Sequence, residues 1–168
     1  MDPLLLPALL LVLEPNPQPT MERTFHPDLQ RYVGTHVVPA VAGISAERKE
    51  SLDAIAAFVK ERKAAGATAD LTFICTHNSR RSHLGQVWAA TAAWMHGLDH
   101  VHTYSGGTEA TAFNTRAVAA LERAGFHVDG SEGTNPHYNV SFSNDRAPEP
   151  HWSKVYDDPA NPQTGFCA

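Results

Sequence analysis

The feature that most restricts how this chain can fold is an alternation of short β-rich runs and helical stretches between Leu71 and Gly125. LTFIC (71–75) is a short apolar run with the look of a buried strand. HLGQVWAATAAWMHG (83–97) has helical spacing, with Leu84, Val87, Trp88, Thr91 and Trp94 along one face and Gly97 to close it. VHTYSGG (101–107) alternates and ends in glycines, which predicts a second strand running into a loop. Asn114 is placed to cap TRAVAALERAG (115–125), whose Val118, Leu121 and Ala124 form a buried stripe. Strand, helix, strand, helix is the rhythm of a parallel α/β sheet.

Around this core the signals vary. SAERKESLDAIAAFVKERKAAG (45–66) predicts a helix capped by Ser45 and stopped by Gly66, with Leu52, Ile55, Ala56 and Val59 on its apolar face. Lys60, Arg62 and Lys63 fall in its last turns, where the helix dipole favours cations. HPDLQRYVGTHVV (26–38) is weakly helical, with Pro27 suited to a first turn. From Ser131 onward the chain is turn-rich, and only WSKVY (152–156) reads as a strand. The stretch LLLPALLLVL (4–13) is too short for a spanning helix, which needs roughly 20 residues, and Pro7 interrupts it. It lacks the basic flank and small-residue cleavage site of a signal peptide. Residues 1–20 are therefore expected to be an unstructured leader or a mis-assigned start, with Met21 as the alternative initiator, and 21–168 a single domain.

Charge and cysteine count narrow the partners. A net charge of -5 leaves no basic footprint for nucleic acid and would repel a large polyanion. Two cysteines, Cys75 and Cys167, do not make a disulfide framework, so the expected setting is reducing and cytoplasmic, with no membrane partner.

One cysteine sits where chemistry would be done. Cys75 ends the first strand, and THNSRRS leads from it into the helix. A loop between a strand's C-terminal end and a helix N-terminus is the usual ligand position of an α/β sheet. Its amides and the helix dipole form a concave anion site, and a thiol at its start is drawn toward the thiolate. Arg81 opens the helix and can fork two hydrogen bonds to a tetrahedral oxyanion, while the Ser82 hydroxyl can reach back to the sulfur. On spacing alone, a buried strand-end cysteine with surface arginines competes with this reading. The strand before and the helix after favour the chemical one. No Gly-Lys-Ser/Thr is present, which removes a nucleotide P-loop.

CTHNSRRS resembles the active-site loop of the low-molecular-weight protein tyrosine phosphatase and thioredoxin-coupled arsenate reductase superfamily. Cys75, Asn78, Arg81 and Ser82 match the family's nucleophile, loop-shaping Asn, oxyanion-binding Arg and thiolate-stabilising Ser. YSGGTEATAFNTRAVAALERAGFHV is similar to its Ser-Ala/Gly-Gly-Thr strand end and following helix, so the resemblance covers about residues 70–128. His77 and Arg80 stand where the two enzyme types often carry Gly and Cys.

The resemblance implies a small parallel sheet flanked by helices, a phosphatase-like, flavodoxin-type three-layer α/β fold. It implies a hydrolase with Cys75, Arg81 and Ser82 as catalytic residues. Thr76, His77, Asn78, Ser79, Arg80 and Arg81 would form the oxyanion cradle, with no metal and no cofactor. The substrate would be a phosphomonoester or phosphotyrosine, or else arsenate or phosphate. The family's general acid is an Asp in an Asp-Pro loop near the far end of the chain, and Asp158-Pro159 is the candidate. Members with this style of loop resemble one another in a Tyr-Asp-Asp-Pro segment that precedes a Cys-rich strand and the true acid. On that pattern GFCA begins a third core strand, and the fold is expected to be incomplete at the C-terminus. A compact variant completed by WSKVY and the N-terminal helices is the alternative. A thiol relay needs resolving cysteines beyond Cys167, so thioredoxin or another thiol reductant would serve only a longer form.

Two function classes follow: a cysteine-dependent phosphatase or arsenate-reductase-like enzyme, and an oxyanion-binding or partner-binding remnant without the acid. A chain without the acid would favour leaving groups that need no proton. His100 and His102 could share a strand face, yet two such residues near a loop are usually just solvent-facing. Trp88 and Trp94 read as core, and Glu50 and Asp53 as a solvated helix face.

Overall fold

The computed structural model describes residues 23–168, so the leader reading of 1–20 lies outside the described residues. Chain order is α1 (Pro27–Tyr32), a π-helical turn (Val33–Val37), α2 (Val38–Ala40), a 3-10 turn (Val41–Gly43), α3 (Ala46–Ala64), β1 (Ala69–Cys75) and α4 (Arg81–Met95). There follow β2 (Val101–Gly107), α5 (Thr115–Ala124), β3 (His127–Gly130), β4 (Tyr138–Ser141) and β5 (Glu149–His151).

The centre is the expected parallel pair. β1 and β2 run in register from Ala69↔Val101 to Cys75↔Gly107, so both strands end at the same level. α4 connects them and packs closely on β1. The Phe73 ring stands 2.6 Å from where a Cβ of Gly85 would be, so only glycine permits this approach. Helix ends follow the sequence signals: Ser45 Oγ accepts from the Arg48 amide, and Asn114 Oδ1 accepts from the Arg116 amide at 3.0 Å. Gly125 ends α5 in the left-handed region (φ 99°), pressed against the backbone of Leu29, where a Cβ would collide with the Leu29 amide.

Two apolar clusters hold these elements. Leu29 and Val33 meet Val87, Ala90 and Trp94 of α4, Val118 and Leu121 of α5, and Val140 with Phe142. Ala69, Leu71, Ala93 and Val101 form the second, against which Ile55, Phe58 and Val59 of α3 pack. The α3 stripe is thus rotated from expectation, since Leu52 and Ala56 are exposed while Phe58 joins the contact.

Beyond α5 the structure departs further. β3, β4 and β5 form a separate antiparallel sheet, hidden from pattern reading because its strands are short and β5 contains a proline. WSKVY is not a full strand. It makes one parallel bridge, Gly107↔Val155, with the Gly107 amide donating to Lys154 O (3.0 Å) and the Tyr156 amide to Gly107 O (2.9 Å). On the other edge Cys167, in GFCA, makes a single parallel bridge to Leu71.

Candidate active site

β1 delivers Cys75 to the C-terminal edge of the sheet, and the five residues after it curl into a loop before α4 begins at Arg81. The loop's shape follows from where its carbonyls point. Cys75 O accepts from the Thr108 amide (3.1 Å), and Thr76 O from the Glu109 amide (2.8 Å). His77 O accepts from Ser153 Oγ (3.0 Å) and Thr111 Oγ1 (3.1 Å), and Ser79 O from the Asn114 amide (2.8 Å). With the carbonyls engaged outward, the amides of His77, Ser79 and Ser82 turn toward the Cys75 sulfur. Gly107 permits this crowding, because a Cβ there would lie 2.6 Å from the Asn78 nitrogen and 2.8 Å from Thr76 O.

Asn78 is the keystone of the loop. Fully buried and at φ 42°, it adopts the left-handed backbone that Asn tolerates better than most residues. Its Oδ1 accepts from the Lys154 amide and its Nδ2 donates to Ser82 Oγ, both at 2.8 Å. With the Asn78 donor on its oxygen, the Ser82 hydroxyl is free to turn its own hydrogen to Cys75 Sγ, 3.1 Å away. Burial alone would push the Cys75 thiol up. The Ser82 hydroxyl and the amides of Ser82, Ser79 and His77 together outweigh that and lower it to about 7.

Cys75, His77, Ser79, Arg80, Arg81 and Thr111 line a cavity of about 190 Å³. Arg80 and Arg81 form no ion pair with a described residue, so the cavity is cationic in an otherwise acidic chain. Of the predicted site residues, Thr76 and Asn78 frame the loop from outside the cavity, and Ser82 stands behind the sulfur. Asp158 is not on the cavity wall. Its Oδ1 accepts from the Ala160 amide (2.8 Å), closing its own turn.

Sequence reasoning missed what stands behind and beside the loop. Thr111 lies between β2 and α5 and Ser153 in WSKVY, where neither side chain was singled out, and Asn135 comes from a turn-rich segment. Asn135 exchanges two hydrogen bonds with the Ser153 backbone, and Ser153 Oγ also accepts from the Thr111 amide. Beneath lies a buried pair, His83 and His151, whose Nδ1 atoms are 3.4 Å apart. Burial lowers both imidazoles to about 3, and nearby Lys154 adds to the effect. His100 and His102 do not converge: His100 lies by Val59 O, and His102 pairs with Asp70. Among the described residues no three His, Cys, Asp or Glu side chains gather to hold a metal, and no helix is long and apolar enough to cross a membrane.

Residues 70–138 match the family model described as low molecular weight phosphotyrosine protein phosphatase. Over this segment the chain is similar to the low-molecular-weight phosphatase and arsenate reductase superfamily. The match runs past residue 128, where the loop-and-helix resemblance stops, to include the start of β4. A 63-residue stretch is 41% identical to a protein of Bacillus licheniformis named arsenate reductase, covering 38% of this chain and 41% of that protein. The chain therefore spans about two fifths of that relative's length. No solved structure matches it. Both printed names are those of enzymes of the phosphatase and arsenate reductase kind.

Proposed function

We propose that this chain is a cysteine-dependent phosphatase acting on phosphomonoesters through a phosphocysteine intermediate. The observation that carries the reading is the Cys75 sulfur, lowered to about 7, in a cationic cavity beside two arginines without a carboxylate partner. At neutral pH about half of such a thiol is nucleophilic thiolate. The loop amides and the Arg81 fork would hold the equatorial oxygens, and the Ser82 hydroxyl would stabilise the sulfur as it leaves.

Reduction of arsenate, favoured by the relative's name, has a stricter requirement: two electrons, hence a second thiol. Cys167 pairs with Leu71, four residues back along β1, or roughly 13 Å from Cys75 at about 3.3 Å per residue. A disulfide needs Cα atoms within about 7 Å. Arsenate is therefore better read as a ligand of this cavity than as the start of a relay between these two cysteines.

The test is release of 4-nitrophenol from 4-nitrophenyl phosphate by the wild type, Cys75→Ser and Arg81→Lys. Turnover that disappears with Cys75→Ser and falls steeply with Arg81→Lys supports the proposal. Phosphate that raises the melting temperature without any nitrophenol release would instead favour the binding remnant.

A further inference from the structure

We propose that Ser153 is a positioning residue for the Cys75 nucleophile: with Lys154 it holds Asn78 in the backbone conformation that keeps the loop donors on the sulfur. The inference rests on the phosphatase reading above for the reaction it serves, and on the loop geometry for its effect on the thiol. Asn78, at φ 42°, is the one non-glycine residue in the left-handed region among the described residues. Such a conformation costs free energy and persists only where its surroundings over-determine it. Two consecutive residues do so here. Ser153 Oγ donates to His77 O (3.0 Å), fixing the peptide before Asn78, and the Lys154 amide donates to Asn78 Oδ1 (2.8 Å), fixing its side chain.

Ser153 is buried, and its hydroxyl is engaged on both sides. Its single hydrogen goes to His77 O, while its oxygen accepts from the Thr111 amide at 2.8 Å. Thr111 Oγ1 is in turn the second donor to His77 O (3.1 Å), so one hydroxyl grips that carbonyl directly and through Thr111. Ser153 is itself held from behind. Asn135 Nδ2 donates to Ser153 O (2.8 Å), and Asn135 Oδ1 accepts from the Ser153 amide (3.1 Å). Lys154 O accepts from the Gly107 amide (3.0 Å), which ties the same segment to the end of β2.

The effect is felt at the sulfur. The Ser79 amide, in the peptide that follows Asn78, faces Cys75, and Asn78 Nδ2 on the Ser82 oxygen leaves the Ser82 hydrogen for the same sulfur. Relaxation of Asn78 to the right-handed region would rotate that peptide and draw Nδ2 away from Ser82. The charged and titratable groups that share the cavity with Cys75 are His77, Arg80 and Arg81, and removing the Ser153 hydroxyl alters none of them. A change in the thiol after that removal therefore reports donor geometry, not local charge.

The experiment follows iodoacetamide labelling of the Cys75 peptide against pH, with 4-nitrophenyl phosphate turnover alongside, in the full chain. Ser153→Ala should raise the labelling midpoint by at least about half a pH unit, taking the thiolate fraction at pH 7 from about one half to about one quarter. Ser153→Thr, which keeps the hydroxyl, should restore the wild-type midpoint. Val101→Ala, in the second apolar cluster at the far end of β2, should lower the melting temperature and leave the midpoint unmoved. A Ser153→Ala chain that melts earlier but labels with the wild-type midpoint overturns the proposal, as does an equal rise in Val101→Ala. If Ser153→Ala does not fold, Asn135→Ala, which loosens the Ser153 backbone, is read in its place with the same outcomes. Labelling needs no turnover, so the two readings fail separately. A wild type inert to the ester, with a midpoint that still moves in Ser153→Ala, overturns the phosphatase reading and supports this one; turnover with an unmoved midpoint does the reverse.

Discussion

Replacing Ser82 by alanine isolates the group that most directly sets the character of Cys75. The hydroxyl lies 3.1 Å from the sulfur, and the Asn78 donor on its oxygen leaves its hydrogen to point at Cys75. A hydrogen bond to a charged group contributes about 1.5–3 kcal/mol, and partial exposure of Cys75 places this one near the lower end. Since about 1.4 kcal/mol corresponds to one pH unit, Ser82→Ala should move the thiol from about 7 to roughly 8. The thiolate fraction at pH 7 then falls from about one half to about one tenth, and alkylation slows by about fivefold. The assay is the rate of iodoacetamide labelling against pH, followed on the Cys75 peptide by mass spectrometry so that Cys167 does not contribute. An unchanged midpoint would refute the argument, because the lowering would then owe nothing to Ser82.

Three further outcomes follow from the same geometry. Phosphate, sulfate or vanadate at a hundred times its dissociation constant should add about 2.7 kcal/mol, hence raise the melting temperature by roughly 5–10 °C. Arg81→Lys should lose most of that rise in a thermal-shift assay, because an ammonium cannot make the bidentate fork; equal shifts would place the anion elsewhere. The thiol of Cys75 is lower in the fold than the ordinary value near 8.5, so its stabilising contribution is complete above about pH 8.5 and lost as pH falls through 7. Denaturation of wild type and Cys75→Ser should therefore show a stability difference that moves in favour of wild type between pH 6 and pH 9, and a flat difference would contradict it. Asn78→Ala strands the Lys154 amide and puts alanine in a left-handed conformation, costing about 2–4 kcal/mol in denaturant unfolding. A cost below about 1 kcal/mol would mean the loop does not depend on it.

The strand–loop–helix core was legible because each residue there satisfies several demands at once. Cys75, Asn78, Arg81 and Ser82 lie within eight positions, between a strand and a helix that the local pattern marks. Gly107 and Asn114 were legible as a strand end and a cap. What lay hidden depends on contacts distant in sequence. Ser153 is seventy-six positions from His77, whose carbonyl it holds, and nothing in WSKVY announces that contact. The antiparallel sheet was hidden because β3, β4 and β5 are three or four residues long, and β5 places Pro150 at its centre. The α3 stripe shifted because three half-buried side chains, Ile55, Phe58 and Val59, suffice to seat the helix, leaving Leu52 in solvent. Glu109 drew no attention as a lone exposed acid; only the folded loop brings it to His77.

The claim at the centre is that the Cys75 sulfur attacks phosphorus, and trapping the covalent product tests it most directly. The chain is mixed with 4-nitrophenyl phosphate, quenched in acid within the first turnover, digested and analysed by mass spectrometry. A phosphoryl group on the peptide containing Cys75, absent from Cys75→Ser and appearing with the nitrophenol burst, is the predicted result. Nitrophenol release with no phosphorylated Cys75 peptide, or with a phosphoryl group on another residue, would contradict it.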